Sequence, residues 1–331
     1  MNRKTKGILI ITPAFRPNIG GVESYLDDLC DYLVKREHRV YVIAYQPITT
    51  KAKGLNFEKD RTLEIIRMPW FGHNLFHKLE KYPFLEFLYL TPMLFLSSLI
   101  FLTLNGRKID CLHAQGLVSG FISIILARLF NKRAVMSTCA VYNFKKNSLF
   151  ARISSLIISS FDKVLPLADF SKQELINIGV PKDKITTYNL WVRLNLYKPL
   201  DKKEAKIKIG LEDKFIVLYV GRFIEKKGVG LILDLIKDAD KRICFLFIGD
   251  DGPLFGLVED TSKEFDNVKL VKGIRWKELI PYYQAANVLL VPSLYDEAFG
   301  KVIIEALSCA TPVIGAKKGA IPYIVNETVV A

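Results

Sequence analysis

The chain has 331 residues, half of them hydrophobic and 24% charged, a balance that excludes a disordered chain. Its length fits about two ordinary domains, each able to bury its own core. Basic side chains outnumber acidic ones 47 to 34, a formal net charge of +13. Residues 1–200 hold 28 basic and 15 acidic side chains, and residues 201–331 hold 19 of each, so the whole excess lies in the first part. Five cysteines (Cys30, Cys111, Cys139, Cys244, Cys309) stand singly with no Cys-x-x-Cys pair. That spacing argues against a zinc knuckle or a disulfide framework and fits a reducing compartment.

In chain order, the first apolar run is GILIIT (7–12). It is short, and Pro13, Arg16 and Pro17 follow, so it reads as a buried strand and not as a signal peptide. Val22–Lys35 places Val22, Leu26, Leu29, Cys30, Leu33 and Val34 at helical spacing. RVYVIA (39–44) and LEIIRM (63–68) read as strands. Phe87–Leu104 carries no charge over eighteen residues, the lower limit for a membrane-spanning helix. Pro92 interrupts it and Glu86 and Arg107 close it, so a buried or membrane-grazing helix is expected. IDCLHA (109–114), AVMST (134–138) and DKVLPL (162–167) are further strands. An irregular stretch, Asn189–Pro199, reads as the joint, and a charged helix start follows in DKKEAKIKIG. The alternation then restarts with FIVLYV (215–220), ICFLFI (243–248), VKLV (268–271), NVLLVP (287–292) and PVIGA (312–316). Strands alternating with helices mean parallel sheets covered on both faces. The expectation is an α/β chain of two Rossmann-like domains, 1–200 and 201–331, whose sheets face each other across a cleft. Ligands in such sheets bind beyond the carboxyl ends of the strands.

Three constellations lie at such ends. TPAFRPNIGGVESYL runs from a strand through a proline loop to Gly20-Gly21 at a helix start. Glycines there let backbone N–H groups approach an anion, and a plain strand–helix turn is the other reading. It is not Gly-x-Gly-x-x-Gly, which weakens a nicotinamide or flavin reading. LYVGRFIEKKG puts Arg222 and Lys227 just past a strand, where they can clamp a diphosphate or form a solvated basic loop. PSLYDEAFGKVIIEALSCATPVI puts Glu297 in a loop, Phe299-Gly300 at a helix start and Glu305 inside the helix. A phosphate at the helix N-terminus flanked by two carboxylates suits a sugar nucleotide, and two structural acids are the alternative. Asp238-Ala-Asp240 has a metal-binding pattern but sits at a helix end among charges, so it reads as solvated, and Asp250-Asp251 reads as turn chemistry.

Together, Gly-Gly-Val-Glu, then Gly-Arg…Lys-Gly, then Glu-Ala-Phe-Gly…Glu-Ala resemble the family 4 glycosyltransferases of the two-Rossmann (GT-B) type with a group 1 transferase domain. The likeness runs almost the whole chain, including IGDDGP and PYYQAANVLLVPS. The resemblance implies that Glu297 touches donor sugar hydroxyls, Glu305 the donor ribose, and Arg222 and Lys227 the diphosphate. Gly20, Gly21 and the backbone near Phe299-Gly300 would meet phosphate or sugar. It also implies retention at the anomeric carbon, no metal and no cofactor beyond the nucleotide sugar itself. The chain departs from the family in three places. His113-Ala114-Gln115 replaces the usual His-Ala-His, leaving His113 as a catalytic candidate beside a plain strand-end reading. Thr138-Cys139-Ala140 lacks the usual histidine of Thr-x-His. The sequence given stops soon after Ile321–Val325, before the closing strand and helices that the resemblance leads one to expect, so it is read as either truncated or lacking them. His38, His73 and His77 lie in no motif.

A glycosyltransferase acting on a glycan or lipid-linked acceptor is the leading function. A sugar-nucleotide epimerase of the same fold and a non-catalytic sugar-nucleotide-binding protein are the alternatives. No nucleic-acid motif accompanies the basic charge. That charge is steepest at Arg107, Lys108, Arg128, Lys132, Arg133, Lys145, Lys146 and Arg152, opposed only by Asp110 and interleaved with apolar runs. This composition suits an anionic membrane surface. The expected location is cytoplasmic, peripheral at the inner face of the cell membrane.

Overall fold

A computed structural model of the chain describes residues 5–325 except 19, 49–52, 72–74, 76–78, 80–81, 140, 251 and 275. His73, His77, Ala140 and Asp251 fall outside the described residues. Two compact units are present, Met1–Asn189 and Leu190–Ala331.

In the first unit the described strands are β1 (Gly7–Ile11), β2 (Arg39–Tyr45), β3 (Phe57–Asp60), β4 (Leu63–Met68), β5 (Cys111–Gln115), β6 (Arg133–Thr138) and β7 (Lys163–Pro166). They form one sheet in the order β3-β4-β2-β1-β5-β6-β7. Every neighbouring pair is parallel except β3 with β4. The apolar runs form strands because a parallel sheet is covered on both faces, and β2 is buried from Val40 to Tyr45. Helices described in full in this unit are α1 (Gly21–Lys35), α2 (Pro83–Asn105), α3 (Gly116–Leu129), α4 (Leu149–Ser159) and α5 (Ala168–Asn177).

The uncharged segment is the middle of α2, and Pro92 does not interrupt it. The carbonyl that Pro92 frees belongs to Leu88, an exposed residue, where water can satisfy it. By length and composition α2 could cross a membrane. Yet Leu90, Leu94, Phe101 and Leu102 bury one side of it in the core against Leu9, Tyr41 and Met136. The Tyr45 hydroxyl donates to the Leu90 carbonyl at 2.7 Å. The helix packs on β2, β4 and α3 of the same unit. Its opposite side exposes Leu85, Leu88, Leu96, Ile100 and Leu104.

The second unit holds β8 (Phe215–Val220), β9 (Ile243–Ile248), β10 (Val268–Val271), β11 (Val288–Val291) and β12 (Val313–Gly315). The order is β10-β9-β8-β11-β12, all parallel. Its helices are α6 (Lys202–Ile209), α7 (Val229–Asp238), α8 (Phe255–Glu264), α9 (Ile280–Ala285), α10 (Lys301–Ser308) and α11 (Ile321–Ile324). Asp201 caps α6, accepting from the N–H groups of Lys203 and Glu204 at 3.0 Å. The division falls between Asn189 and Leu190, ahead of the boundary expected at 200. Tyr197 explains the shift, because it is buried in the second core and bonded to Glu305.

Both sheets are doubly wound. In each, strand order reverses at one point, between β1 and β5 in the first and between β8 and β11 in the second. Crossovers leave such a point in opposite directions and open a crevice at the strands' carboxyl ends.

Candidate functional site

At the switch point of the second sheet, Leu218 of β8 pairs with Leu289 of β11. The loops leaving these strands carry the second and third constellations, and they are tied together. Leu294 N–H donates to the Lys226 carbonyl at 2.8 Å. Gly228 has φ +71°, and a Cβ there would stand 2.0 Å from the Pro292 carbonyl oxygen. Only glycine fits at that junction, so Gly228 is what lets the basic loop close on the end of β11.

The closure brings Lys227 onto Glu297, with Nζ 2.5 Å from Oε1. Glu297 is buried, and two hydroxyls complete its surroundings: Ser293 donates to Oε1 at 2.7 Å and Tyr295 to Oε2 at 2.8 Å. The Lys227 ammonium also lies 5.2 Å from the centre of the Tyr295 ring. From the far side, Ala320 N–H donates to the Glu297 carbonyl at 2.8 Å and Gly319 N–H to the Asp296 carboxylate at 2.9 Å. A buried carboxylate is thus held by two hydroxyls beside a partly exposed ammonium, and the backbone that carries it is fixed from the other side. Arg222 leaves the same strand. Its carbonyl accepts from the Tyr219 hydroxyl at 2.8 Å, and burial together with the charge of Glu297 keeps that hydroxyl's pKa well above its ordinary value. Phe299 is buried, and Gly300, at φ +82°, starts α10 with no side chain capping the helix. A helix start of this kind turns its first N–H groups toward the position an anion prefers.

Glu305 is placed differently. It lies one turn into α10, buried, accepting from the Tyr283 hydroxyl at 2.8 Å and the Tyr197 hydroxyl at 3.2 Å, with Lys301 Nζ at 4.0 Å. Burial and the adjacent carboxylate hold the Tyr283 pKa well above the phenol range. Asp240, half of the metal-like pattern, binds Arg242 through both carboxylate oxygens, and Asp250 accepts from the Gly273 N–H.

In the first unit, Gly20 and Gly21 start α1 at the carboxyl end of β1. Gly20 is extended, a backbone any residue adopts, so what it contributes is room: a Cβ would stand 2.3 Å from the Glu23 carboxylate. The preceding loop is fixed by Arg16, which donates to Asp27 of α1 and Glu58 of β3, each at 2.6 Å. Buried Arg67 donates to Glu58 at 2.9 Å and to the Arg16 carbonyl at 3.0 Å. Cys139 lies 3.4 Å from the Tyr188 hydroxyl, and burial pushes its thiol pKa up to about 11.

His113 is buried in β5 with Nε2 2.7 Å from the Ser137 hydroxyl, facing a cavity of about 690 Å³ lined by Tyr25, Leu29, Leu33 and Val135. Burial pulls its pKa down from 6.5 to about 4. The unfolded chain therefore takes the proton first as pH falls. Stability from the neutral ring is complete above about pH 6.5 and is lost toward about pH 4, by at most about 3 kcal/mol. Urea midpoints at pH 7 and pH 5 are expected to diverge for the wild type and to converge for His113→Asn. Equal loss in both proteins would refute the assignment.

The description "Glycosyltransferase Family 4" matches residues 19–194, and "Glycosyl transferases group 1" matches residues 201–330. The chain belongs to glycosyltransferase family 4. The enzyme class read from the sequence, a glycosyltransferase, stands with it. Among similar proteins, an uncharacterized 41.2 kDa protein of the Klebsiella pneumoniae cps region is 29% identical over 70% of this chain and 68% of its own length. D-inositol 3-phosphate glycosyltransferase 2 of Catenulispora acidiphila is 31% identical over 52% of this chain and 44% of its own. One subunit of the human phosphatidylinositol N-acetylglucosaminyltransferase is 21% identical over 99% of this chain and 65% of its own. The match thus spans less than two thirds of the latter two relatives. The sucrose-phosphate synthase of Thermosynechococcus elongatus superposes with a TM-score of 0.73 at 22% identity, over 96% of this chain and 83% of that one. Anabaena HepE, crystallised with UDP-glucose, gives 0.73 at 17% identity, over 97% and 83%. At these identities the structures establish the GT-B fold.

Within the family 4 frame, the structure joins Lys227 to Glu297, keeps Arg222, Phe299 and Gly300 in the same two loops, and sets Glu305 inward. Sequence reasoning missed Ser293 and Tyr295, the two hydroxyl donors to Glu297. The signal available was their spacing: 293, 295 and 297 alternate, as in an extended segment where every second side chain shares a side.

Proposed function

We propose that this family 4 chain moves a sugar from a nucleotide-sugar donor to a hydroxyl of a glycan or lipid-linked acceptor, with retention at the anomeric carbon. The observation that carries it is the junction of the two loops leaving β8 and β11, which holds Lys227 on Glu297 just before the uncapped start of α10. Lys227 and Arg222 take the diphosphate, and Glu297 accepts donor sugar hydroxyls. The anomeric C–O bond breaks, and its electron pair stays on the departing phosphate oxygen. The acceptor oxygen bonds to the same face of the anomeric carbon, and its proton passes to that phosphate oxygen. The growing charge is neutralised by side chains that are already in place, which is where electrostatic catalysis acts most strongly. With two cations of the chain meeting the diphosphate, the step calls for no divalent metal. The test is a panel of nucleotide sugars, with and without acceptor and with EDTA. One donor is expected to be consumed with a retained product and undiminished turnover in EDTA. An inverted product, or turnover abolished by EDTA, overturns the mechanism.

The same reading places the enzyme at the cytoplasmic face of an anionic membrane. Leu149, Phe150, Ile153 and Leu156 expose an apolar stripe on α4, parallel in character to that of α2. Arg107, Lys108, Arg128, Arg133, Lys145, Lys146 and Arg152 are exposed in the same unit, near these helices in the chain. Each cation near such a surface contributes about 1 kcal/mol. A relative whose name includes phosphatidylinositol supports a lipid acceptor. Sedimentation with vesicles is expected to require anionic lipid, to fall with salt, and to weaken in Leu156→Glu. Binding indifferent to lipid charge and salt overturns this placement.

A further inference from the structure

We infer that Tyr295 is a positioning residue: its hydroxyl aims the Glu297 carboxylate and its ring steadies Lys227. The inference rests on the donor reading above. Ser293 and Tyr295 donate to different oxygens of Glu297, at 2.7 and 2.8 Å, which fixes both the plane and the direction of the carboxylate. Lys227 approaches only Oε1, at 2.5 Å, and packs against the Tyr295 ring at 5.2 Å. One side chain therefore serves two groups with separate tasks. The hydroxyl governs the carboxylate that meets the sugar, and the ring face governs the cation that meets the diphosphate.

Substitution separates the two tasks. Tyr295→Phe deletes the hydroxyl and keeps the ring face. The carboxylate loses its Oε2 donor and can turn toward Lys227 and Ser293, away from the sugar. Tyr295→Leu deletes both. A fold-wide disturbance moves sugar and diphosphate recognition together, whereas loss of aim moves only the sugar.

The experiment uses the full chain and whichever of UDP-glucose, UDP-N-acetylglucosamine or GDP-mannose the wild type turns over. Inhibition by the matching nucleoside diphosphate, which carries no sugar, is the control. Tyr295→Phe is expected to raise KM for the nucleotide sugar about tenfold, as for one hydrogen bond to a charged group, and to leave diphosphate inhibition within about twofold. Tyr295→Leu is expected to weaken both. If Tyr295→Phe does not fold, Ser293→Ala is expected to give the same split. Equal shifts in both constants, or no shift in either, overturn the inference while the donor reading stands. A wild type that turns over no nucleotide sugar of the wider panel, with or without acceptor, overturns both.

Discussion

Lys227→Ala is expected to lower turnover of the nucleotide sugar by about 10²–10³, a loss of about 3–4 kcal/mol in transition-state stabilisation. The magnitude follows from position. Lys227 Nζ is held 2.5 Å from a buried carboxylate where the loops leaving β8 and β11 meet, and the diphosphate gains charge as the sugar departs. Arg222→Ala is expected to slow the same step. The Lys227 variant has a second consequence, because Glu297 is only 6% exposed and loses its cation. A buried carboxylate without its counterion destabilises the fold, so slow turnover alone leaves two explanations. Lys227→Ala combined with Glu297→Gln separates them. Glutamine keeps an acceptor oxygen for one of the two hydroxyls, can donate its NH2 to the oxygen of the other, and needs no counterion. The double variant is expected to melt near the wild type and to turn over more slowly than Glu297→Gln alone, which gives the baseline for the lost sugar contact. If Lys227→Ala and Arg222→Ala each slow transfer less than tenfold, the leaving group is stabilised elsewhere.

Much of this arrangement was legible in the sequence for a physical reason. Strands buried on both faces must be apolar throughout, so β2, β8 and β9 announce themselves as runs. Lys227 and Glu297 could be matched to chemistry because they stand just past strand ends within motifs that resemble a family, whereas charge alone allowed a solvated loop and structural acids. The features that escaped share another property: their meaning depends on residues distant in the chain. β3 reads FEKD, three of its four residues being charged, because it is an edge strand whose exposed face repels further pairing. Its role became visible only when Glu58 met Arg16 and Arg67. Tyr197 looked like part of a linker and is a core residue, because its partner Glu305 lies 108 positions away. Hydroxyls such as Ser293 and Tyr295 carry no charge signal, and their purpose appears only with the carboxylate they hold.

Glu305 is where the two kinds of argument meet. The family resemblance gives it the donor ribose, and the structure gives it two tyrosines and a lysine inside the second core. Glu305→Leu removes the acceptor of the Tyr283 and Tyr197 hydroxyls and the carboxylate 4.0 Å from buried Lys301. Dismantling a buried, hydrogen-bonded charge cluster in this way is expected to cost about 3–5 kcal/mol. For a unit of this size that lowers Tm by roughly 10 °C, read from the unfolding of the second unit. Glu305→Gln keeps the shape and one acceptor oxygen, so its loss is expected to be less than half of that. The same pair of variants tests the ribose. A carboxylate that also holds the ribose, when replaced by glutamine, loses the rise in Tm given by bound nucleotide while the free protein shows only that smaller loss. A carboxylate confined to the core keeps that rise, in proportion, at every stability. The ratio of the two effects therefore assigns Glu305 without any assay of transfer.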